Sequence, residues 1–188
     1  MRILIYGFGP YRQFDDNVTE TIVRAFPKQH GLKKIVFPVR FHKSQFTRAL
    51  AEYRPDVVLG LGQCSRGSLL RQERRAVNRR RKSSDAKIAP ISAAGPRALF
   101  TDLNLSLASR SKWSSDAGTY VCNFSMYVML DYIRHRRSPV RYGFVHVPRA
   151  YDAKQALRVL HRALSDTLIK LKYKNSRSSN TPAGRGRK

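Results

Sequence analysis

Short apolar runs alternate along this chain with stretches of helical periodicity, and this alternation is the feature that most limits its fold. Uninterrupted apolar runs of this length are typical of strands buried inside a parallel sheet. Helical patterns lie between them, at about residues 17–26 and 43–53. The alternation predicts a single α/β domain with helices on both faces of one sheet. The runs expected as strands are residues 2–6, 34–38, 57–61 and 142–147.

The last helix is the clearest of the predicted elements. Five leucines at positions 157, 160, 164, 168 and 171 form one stripe of an amphipathic helix. Beyond Lys172 the sequence has no apolar period, so we expect a domain over residues 1–172 and a disordered basic tail over 173–188. Asn17 and Ser44 are suitable N-caps for the first two helices.

Composition excludes several classes of protein. Hydrophobic residues make up 41% of the 188 residues, enough for a core and too many for wholesale disorder. Neither a membrane-length apolar run nor a signal peptide is apparent. Two cysteines, Cys64 and Cys122, provide no disulfide framework, and no Cys/His cluster has zinc spacing. We therefore expect a soluble protein of a reducing, cytoplasmic compartment.

Basic residues dominate the charge of the chain. Lys and Arg number 37 against 12 Asp and Glu, a formal net charge of +25. The basic residues are most concentrated in residues 66–82 and 172–188. Non-specific contact with a polyanion is one interpretation, and such binding would be salt-sensitive and independent of base sequence. An ordinary protein with a basic surface is the other, and the sequence leaves both open.

Three residues of catalytic type stand out by their local sequence. Cys122 follows a loop-like cluster and precedes an apolar run, which predicts a place in or near a first helical turn, where the helix dipole lowers a thiol pKa. His146 ends a strand before Pro148, at the sheet edge where α/β proteins place their sites. Glu73 lies among arginines. A buried small side chain, a core histidine and a surface ion pair are the ordinary structural alternatives.

Four local strings are shared with one enzyme family. SDAGTYVCN at residues 115–123 resembles the nucleophile motif S-A-G-T-Y-V-C-N of the type I pyroglutamyl peptidases. GFVHVP at residues 143–148 is similar to their histidine motif G-F-I-H-V-P, and ERRAVN at residues 73–78 is similar to E-R-V-A-I-N. GLGQ at residues 60–63 resembles their G-x-G-Q turn. The strings occur in the family's order, and the resemblance covers about residues 1–170.

The resemblance implies a fold and a reaction. The family fold is a single three-layer α/β/α sandwich around a mostly parallel twisted sheet. In the family's reaction, Cys122 would attack the carbonyl that joins an N-terminal pyroglutamyl residue to a peptide. His146 would be the acid–base residue and Glu73 the third member of the triad. The substrates would be peptides with a blocked N-terminus, hydrolysed through a thioacyl-enzyme without metal or cofactor.

The resemblance also implies a pocket for the lactam ring, with some departures from the family. Its residues here would be Phe8, Tyr11, Asn17 and Gln63. The family's opening loop reads G-F-E-P-F-G-G, whereas GFGPYRQ at residues 7–13 lacks the double glycine. The sequence after Gln63 also differs from the family's A-G-G. We therefore expect a reshaped pocket beside intact cleavage residues.

A second class of function is the alternative. The chain would then be a catalytically weak or repurposed family member that associates with RNA or another polyanion. Retention of Glu73, Cys122 and His146 in their local contexts argues against this. Residues 66–82 also contain no aromatic side chain on which a base could stack. Association into a homo-oligomer is left open by the sequence.

Overall fold

The computed structural model describes residues 1–11, 14–65, 67–107 and 111–178, with side chains through residue 173. The first half of the chain alternates strands and helices: β1 (Ile3–Phe8), α1 (Val18–Ala25), β2 (Leu32–Phe37), α2 (Lys43–Tyr53) and β3 (Val57–Cys64). Four short strands follow: β4 (Leu70–Glu73), β5 (Arg75–Val77), β6 (Ala98–Phe100) and β7 (Ser111–Ser114). The chain then forms α3 (Val121–His135), β8 (Arg141–Pro148) and α4 (Ala153–Ser178).

Six of the strands form one sheet in the order β2-β1-β3-β8-β4-β7. All neighbouring pairs are parallel except β4 and β8, which are antiparallel. Strands β5 and β6 form a separate antiparallel pair. Because the chain leaves β1 for β2 on one side and returns to β3 on the other, the order reverses between β1 and β3, which is where open α/β sheets form a crevice.

Helices cover both faces of the sheet. One apolar cluster joins α2 and α3 to one face, and a second joins α1 and α4 to the other. Along β1 the side chains alternate between them, with Leu4 and Tyr6 in the first cluster and Ile3 and Ile5 in the second. The predicted α/β/α sandwich with a mostly parallel sheet is confirmed.

The four predicted strands are present, whereas β4 to β7 were not predicted. These strands have three or four residues each, and all but the apolar β6 contain charged or polar side chains, so they lack the longer apolar runs that identify a buried strand. Asn17 is the N-cap of α1, as expected, because its side chain accepts a hydrogen bond from the Thr19 amide. Ser44 is not a cap: α2 begins at Lys43, after His42.

The C-terminal helix is longer than the sequence predicts. Helix α4 continues to Ser178, so the expected boundary of a disordered tail at Lys172 is wrong for residues 173–178. Charged residues continue a helix readily when preceding turns are already formed. Residues 179–188 lie outside the described residues. In the described part of the chain, no helix, α4 included, is both long enough and apolar enough for a membrane span.

Truncation after Lys172 is expected to leave the melting temperature within about 2 °C of the full chain. Leu171 still packs against the second apolar cluster, but Tyr173 is 71% exposed, so the removed segment begins where packing ends. Differential scanning fluorimetry of the two chains measures the effect. A larger decrease would show that the C-terminal segment docks on the domain.

Candidate active site

Cys122 lies in the first turn of α3, which begins at Val121. The preceding loop turns at Gly118, whose φ of +76° suits glycine. The Gly118 amide donates to Asp116 Oδ1 (2.9 Å), which stabilises this turn. The first N–H groups of a helix have no intrahelical partner and carry its positive dipole end. The predicted position of Cys122 is thus confirmed, at a place suited to holding negative charge.

Cys122 Sγ rests against the backbone of β3 at Gly62. A Cβ added at Gly62 would lie 2.7 Å from Cys122 Sγ and 2.7 Å from the Phe144 ring, closer than real contacts allow. The absence of a side chain at this position therefore lets the thiol approach the sheet. In the register of β3 and β8, Gly62 is the partner of His146, so the thiol lies over a strand position directly beside the histidine.

Substituting Gly62→Ala is expected to lower kcat/KM at least about 100-fold, because the new methyl group displaces the Cys122 sulfur. Gly9→Ala is the matched control, since a Cβ there has no neighbour closer than 3.7 Å. Steady-state kinetics of both variants, with melting temperatures to establish folding, test this. Equal activity of the two variants would show that the Gly62 contact does not position the thiol.

His146 and Glu73 form a buried pair on adjacent strands. His146 Nδ1 donates to Glu73 Oε1 at 2.7 Å, and the residues are 4% and 1% exposed. This bond leaves Nε2 as the ring nitrogen available to the cleft that His146 lines together with Cys122. Among the described residues, no hydrogen bond joins Cys122 Sγ to the ring. Two expected placements are confirmed: Glu73 lies beside His146, and Cys122 and His146 line one cleft.

The surroundings of the Cys122 thiol oppose its ionisation. Burial raises its pKa to about 12, and the nearby Cys64 and Glu73 act in the same direction, whereas Arg71 opposes them. The helix position alone predicts a lowered pKa, whereas the net shift is upward because desolvation of the sulfur is the largest contribution. A thiol with a raised pKa gives up its proton as it attacks.

Alkylation of Cys122 by iodoacetamide is expected to be slower at pH 7 than that of an exposed thiol, whose pKa is about 8.5. The rate should keep rising with pH above 9, since the thiolate forms only as the pH approaches the raised pKa. Mass spectrometry of alkylated protein in a Cys64→Ala background reports Cys122 alone. A rate that levels off near neutral pH would instead indicate a preformed thiolate.

A small cavity of about 30 Å³ adjoins Cys122 at the carboxyl ends of β1 and β3. This is the point where the strand order reverses, the usual place for a ligand crevice. Gln63 Oε1 accepts from the Val18 amide (2.9 Å), so its Nε2 remains to donate. All four residues that the resemblance implies for the lactam pocket line this cavity: Phe8, Tyr11, Asn17 and Gln63.

Asn17 lines the cavity but its amide is already engaged. Nδ2 donates to the Gly9 carbonyl (3.0 Å), while Oδ1 accepts from the Thr19 amide (3.0 Å) and hydroxyl (2.8 Å). The residue is 3% exposed. A substrate-binding role of Asn17 stays a prediction; in this structure its amide ties the loop after β1 to α1 and positions the pocket wall. The altered loop residues Arg12 and Gln13 lie outside the described residues.

Several residues of the site were not selected from the sequence. Tyr120 packs against Phe41 and Tyr11, with ring centroids 5.2 and 6.3 Å apart. Its position in the motif around Cys122, residues 115–123, is the sequence feature that could have identified it. Arg71 and Arg81 line the cleft beside Cys122 and His146, yet in the sequence they belong to an undifferentiated basic run. Only the strand register shows that Arg71 is the cross-strand partner of His146.

Asn123, next to the cysteine, has a structural role that the sequence did not reveal. Its Oδ1 accepts from the Val77 amide (2.8 Å) and its Nδ2 donates to the carbonyls of Val77 (2.9 Å) and Arg79 (2.8 Å). These bonds connect β5 and the following chain to the start of α3.

Among the described residues, no cluster of His, Cys, Asp or Glu is arranged to hold a metal ion.

A thiol at a helix N-terminus, next to a carboxylate-bound histidine in an α/β/α sandwich, is the arrangement of a cysteine-type peptidase. A family model described as pyroglutamyl peptidase matches residues 1–159. The chain belongs to the pyroglutamyl peptidase family.

Individual relatives agree with the family assignment. The pyrrolidone-carboxylate peptidase of Halalkalibacterium halodurans is 31% identical, over 89% of this chain and 92% of the relative. That of Staphylococcus aureus is 32% identical over 79% of both chains. The solved structure of a mutant pyrrolidone carboxyl peptidase from Pyrococcus furiosus superposes with a TM-score of 0.82 at 26% identity, covering 91% of this chain and 100% of that chain.

Proposed function

We propose that this peptidase removes an N-terminal pyroglutamyl residue from peptides, with Cys122 as nucleophile and His146 as acid–base residue. The observation that carries the proposal is the 2.7 Å bond from His146 Nδ1 to buried Glu73, beside the cleft that Cys122 lines. Glu73 holds the ring in the tautomer whose Nε2 can accept a proton, and is in this role a positioning residue.

The reaction would begin when the thiol attacks the pyroglutamyl carbonyl. The Cys122 proton passes to His146 Nε2 as the carbon–sulfur bond forms, because the raised pKa keeps the free thiol neutral. The N–H groups of the first turn of α3 would stabilise the oxyanion. His146 then protonates the leaving amine, and the thioacyl-enzyme remains. Water, deprotonated by His146, hydrolyses the thioester and releases pyroglutamate.

The lactam ring would enter the cavity beside Phe8, Tyr11 and Gln63. Gln63 Nε2 can donate to the ring carbonyl, and the aromatic side chains provide apolar walls. Tyr11, Gln63, Tyr120 and Cys122 line both this cavity and the larger cleft, so the ring can enter the cavity from the cleft.

Release of aminomethylcoumarin from three substrates tests the function. Pyroglutamyl-aminomethylcoumarin is expected to be cleaved. The prolyl derivative, which has the ring without its carbonyl, and the alanyl derivative, which has neither, are expected to resist. Failure to cleave the pyroglutamyl compound would refute the proposal. Equal cleavage of the prolyl compound would remove the role assigned to Gln63.

The proposal also covers the cellular location of the protein and its further partners. A cytoplasmic location is supported by Cys64 and Cys122, which form no disulfide and suit a reducing compartment. Non-specific contact with polyanions, through the basic surface and C-terminal segment, stays a prediction. So does association into a homo-oligomer.

A further inference from the structure

The cleft at Cys122 has two chemically different sides. On one side lies the small cavity with Phe8 and Gln63. On the other the cleft widens to about 500 Å³ and is lined by Arg71, Arg81 and serines. Cys122 lines both spaces. A substrate carbonyl at the sulfur would therefore have its acyl group in the small cavity and its leaving group on the arginine side.

Arg71 has a fixed place on the leaving-group side. It is the antiparallel partner of His146 in the pairing of β4 with β8, and directly opposite residues project from the same face of a sheet. Its Nε is buried with no hydrogen-bond partner. Among the described residues Arg71 also has no carboxylate within ion-pairing distance. A buried guanidinium donor left unsatisfied is costly. The rest of the group lines the cleft, where a substrate carboxylate can bind it.

Arg81 adds a second cation on the same side. Its amide donates to the Thr119 carbonyl (2.7 Å), which fastens this part of the chain to the loop before α3, and its side chain lines the cleft. Within the described ranges it likewise forms no ion pair. Two carboxylates lie nearby: Asp116 lines the cleft and accepts from the Gly118 amide, and Glu73 is buried behind His146. The two arginines outnumber the one carboxylate that lines this side.

We propose that Arg71 and Arg81 form a subsite for a carboxylate on the leaving group. The preferred substrates are then pyroglutamyl peptides with a carboxylate next to the scissile bond. An acidic side chain in the residue after pyroglutamate and the C-terminal carboxylate of a dipeptide both supply this chemistry. The inference rests on the proposed function and specifies the substrate class of the same site.

Two matched pairs of substrates distinguish the sources of the carboxylate. Pyroglutamyl-glutamate amide against pyroglutamyl-glutamine amide tests the side chain. Pyroglutamyl-alanine against its amide tests the C-terminus. Each cleavage frees a primary amine that the blocked substrate lacks, so an amine-reactive fluorophore measures kcat/KM. In at least one pair the carboxylate substrate is expected to be cleaved about tenfold faster or more, with the preference falling as salt rises.

Variants of the two arginines test whether these residues cause the preference for a carboxylate substrate. Arg71→Gln and Arg81→Gln are each expected to bring the kcat/KM ratio of the sensitive pair toward 1. Arg80→Gln is the matched control, since Arg80 donates to the Pro90 carbonyl and is not among the residues lining the cleft; it should keep the ratio. Because each enzyme is compared with itself, a general loss of activity does not change the result. If Arg71→Gln fails to fold, Arg81→Gln decides, because Arg81 lies outside the six-stranded sheet.

The possible outcomes separate this subsite from the proposed function. Equal cleavage within both pairs by the unmodified protein would overturn the subsite and leave the pyroglutamyl activity intact. A preference that persists in both arginine variants would overturn the assignment to these residues. No cleavage of any of the four peptides would overturn the subsite together with the proposed function.

Discussion

Replacing Cys122 with serine is expected to lower kcat for pyroglutamyl-aminomethylcoumarin by on the order of 10⁵-fold or more, to background. The serine hydroxyl is a far weaker acid than the thiol, and His146 Nε2 would have to deprotonate it in the same buried position. Cys122→Ala should have the same effect because it removes the attacking atom. Serine replaces only the Sγ atom and alanine removes only that atom, so the melting temperature should change little.

Cys64 provides the internal control for this experiment. It is the other cysteine of the chain and lines the same cleft. It lies at the end of β3 and takes part in no step of the proposed mechanism. Cys64→Ala is therefore expected to keep most of the activity. Loss of activity in the Cys64 variant with retention in the Cys122 variants would exchange the roles of the two thiols and refute the mechanism.

The Glu73→Gln variant is expected to lose about 10³- to 10⁴-fold in kcat with little change in KM. If the glutamine amide donates to His146 Nδ1, the imidazole must carry its proton on Nε2, and that nitrogen can no longer accept the proton of Cys122. A glutamine whose carbonyl oxygen accepts from Nδ1 preserves the tautomer but no longer stabilises the imidazolium. Both arrangements impair proton transfer and neither blocks substrate binding.

A kinetic comparison separates this positioning role from a purely structural one. The side chain of glutamine has nearly the same volume as that of glutamate, so unfolding temperatures of the variant and the original protein should agree closely. Glu73→Asp keeps the charge but shortens the reach to His146, and partial activity is expected. A Glu73→Gln variant with kcat within tenfold of the original would contradict the assignment.

The main architecture could be predicted because its signals are local. Buried parallel strands must be apolar on both faces, so β1, β3 and β8 can be read as runs of apolar residues. Strands β4 and β7 could not be read in this way. They are short and contain charged or polar residues, and their pairing joins segments about 40 residues apart, Leu70 with Ser111 for example. Such pairing is specified by the rest of the fold.

The sequence likewise identified some features of the candidate site and not others. Glu73, Cys122 and His146 could be selected because each stands in a long string shared with a family. The hydrogen bonds of Asn17 could not be predicted, because its contacts with Gly9 and Thr19 depend on the path of the loop after β1.

The sequence alone therefore determined the fold class, the family and the identity of the three candidate catalytic residues, since these follow from apolar periodicity and contiguous motifs. Only the tertiary structure decided the environment of those residues. Burial raises the pKa of Cys122 although its helix position alone predicts the opposite shift, and the register of β4 with β8 places Arg71 beside His146. Desolvation and cross-strand proximity arise when distant segments pack together, so no local stretch of sequence contains them.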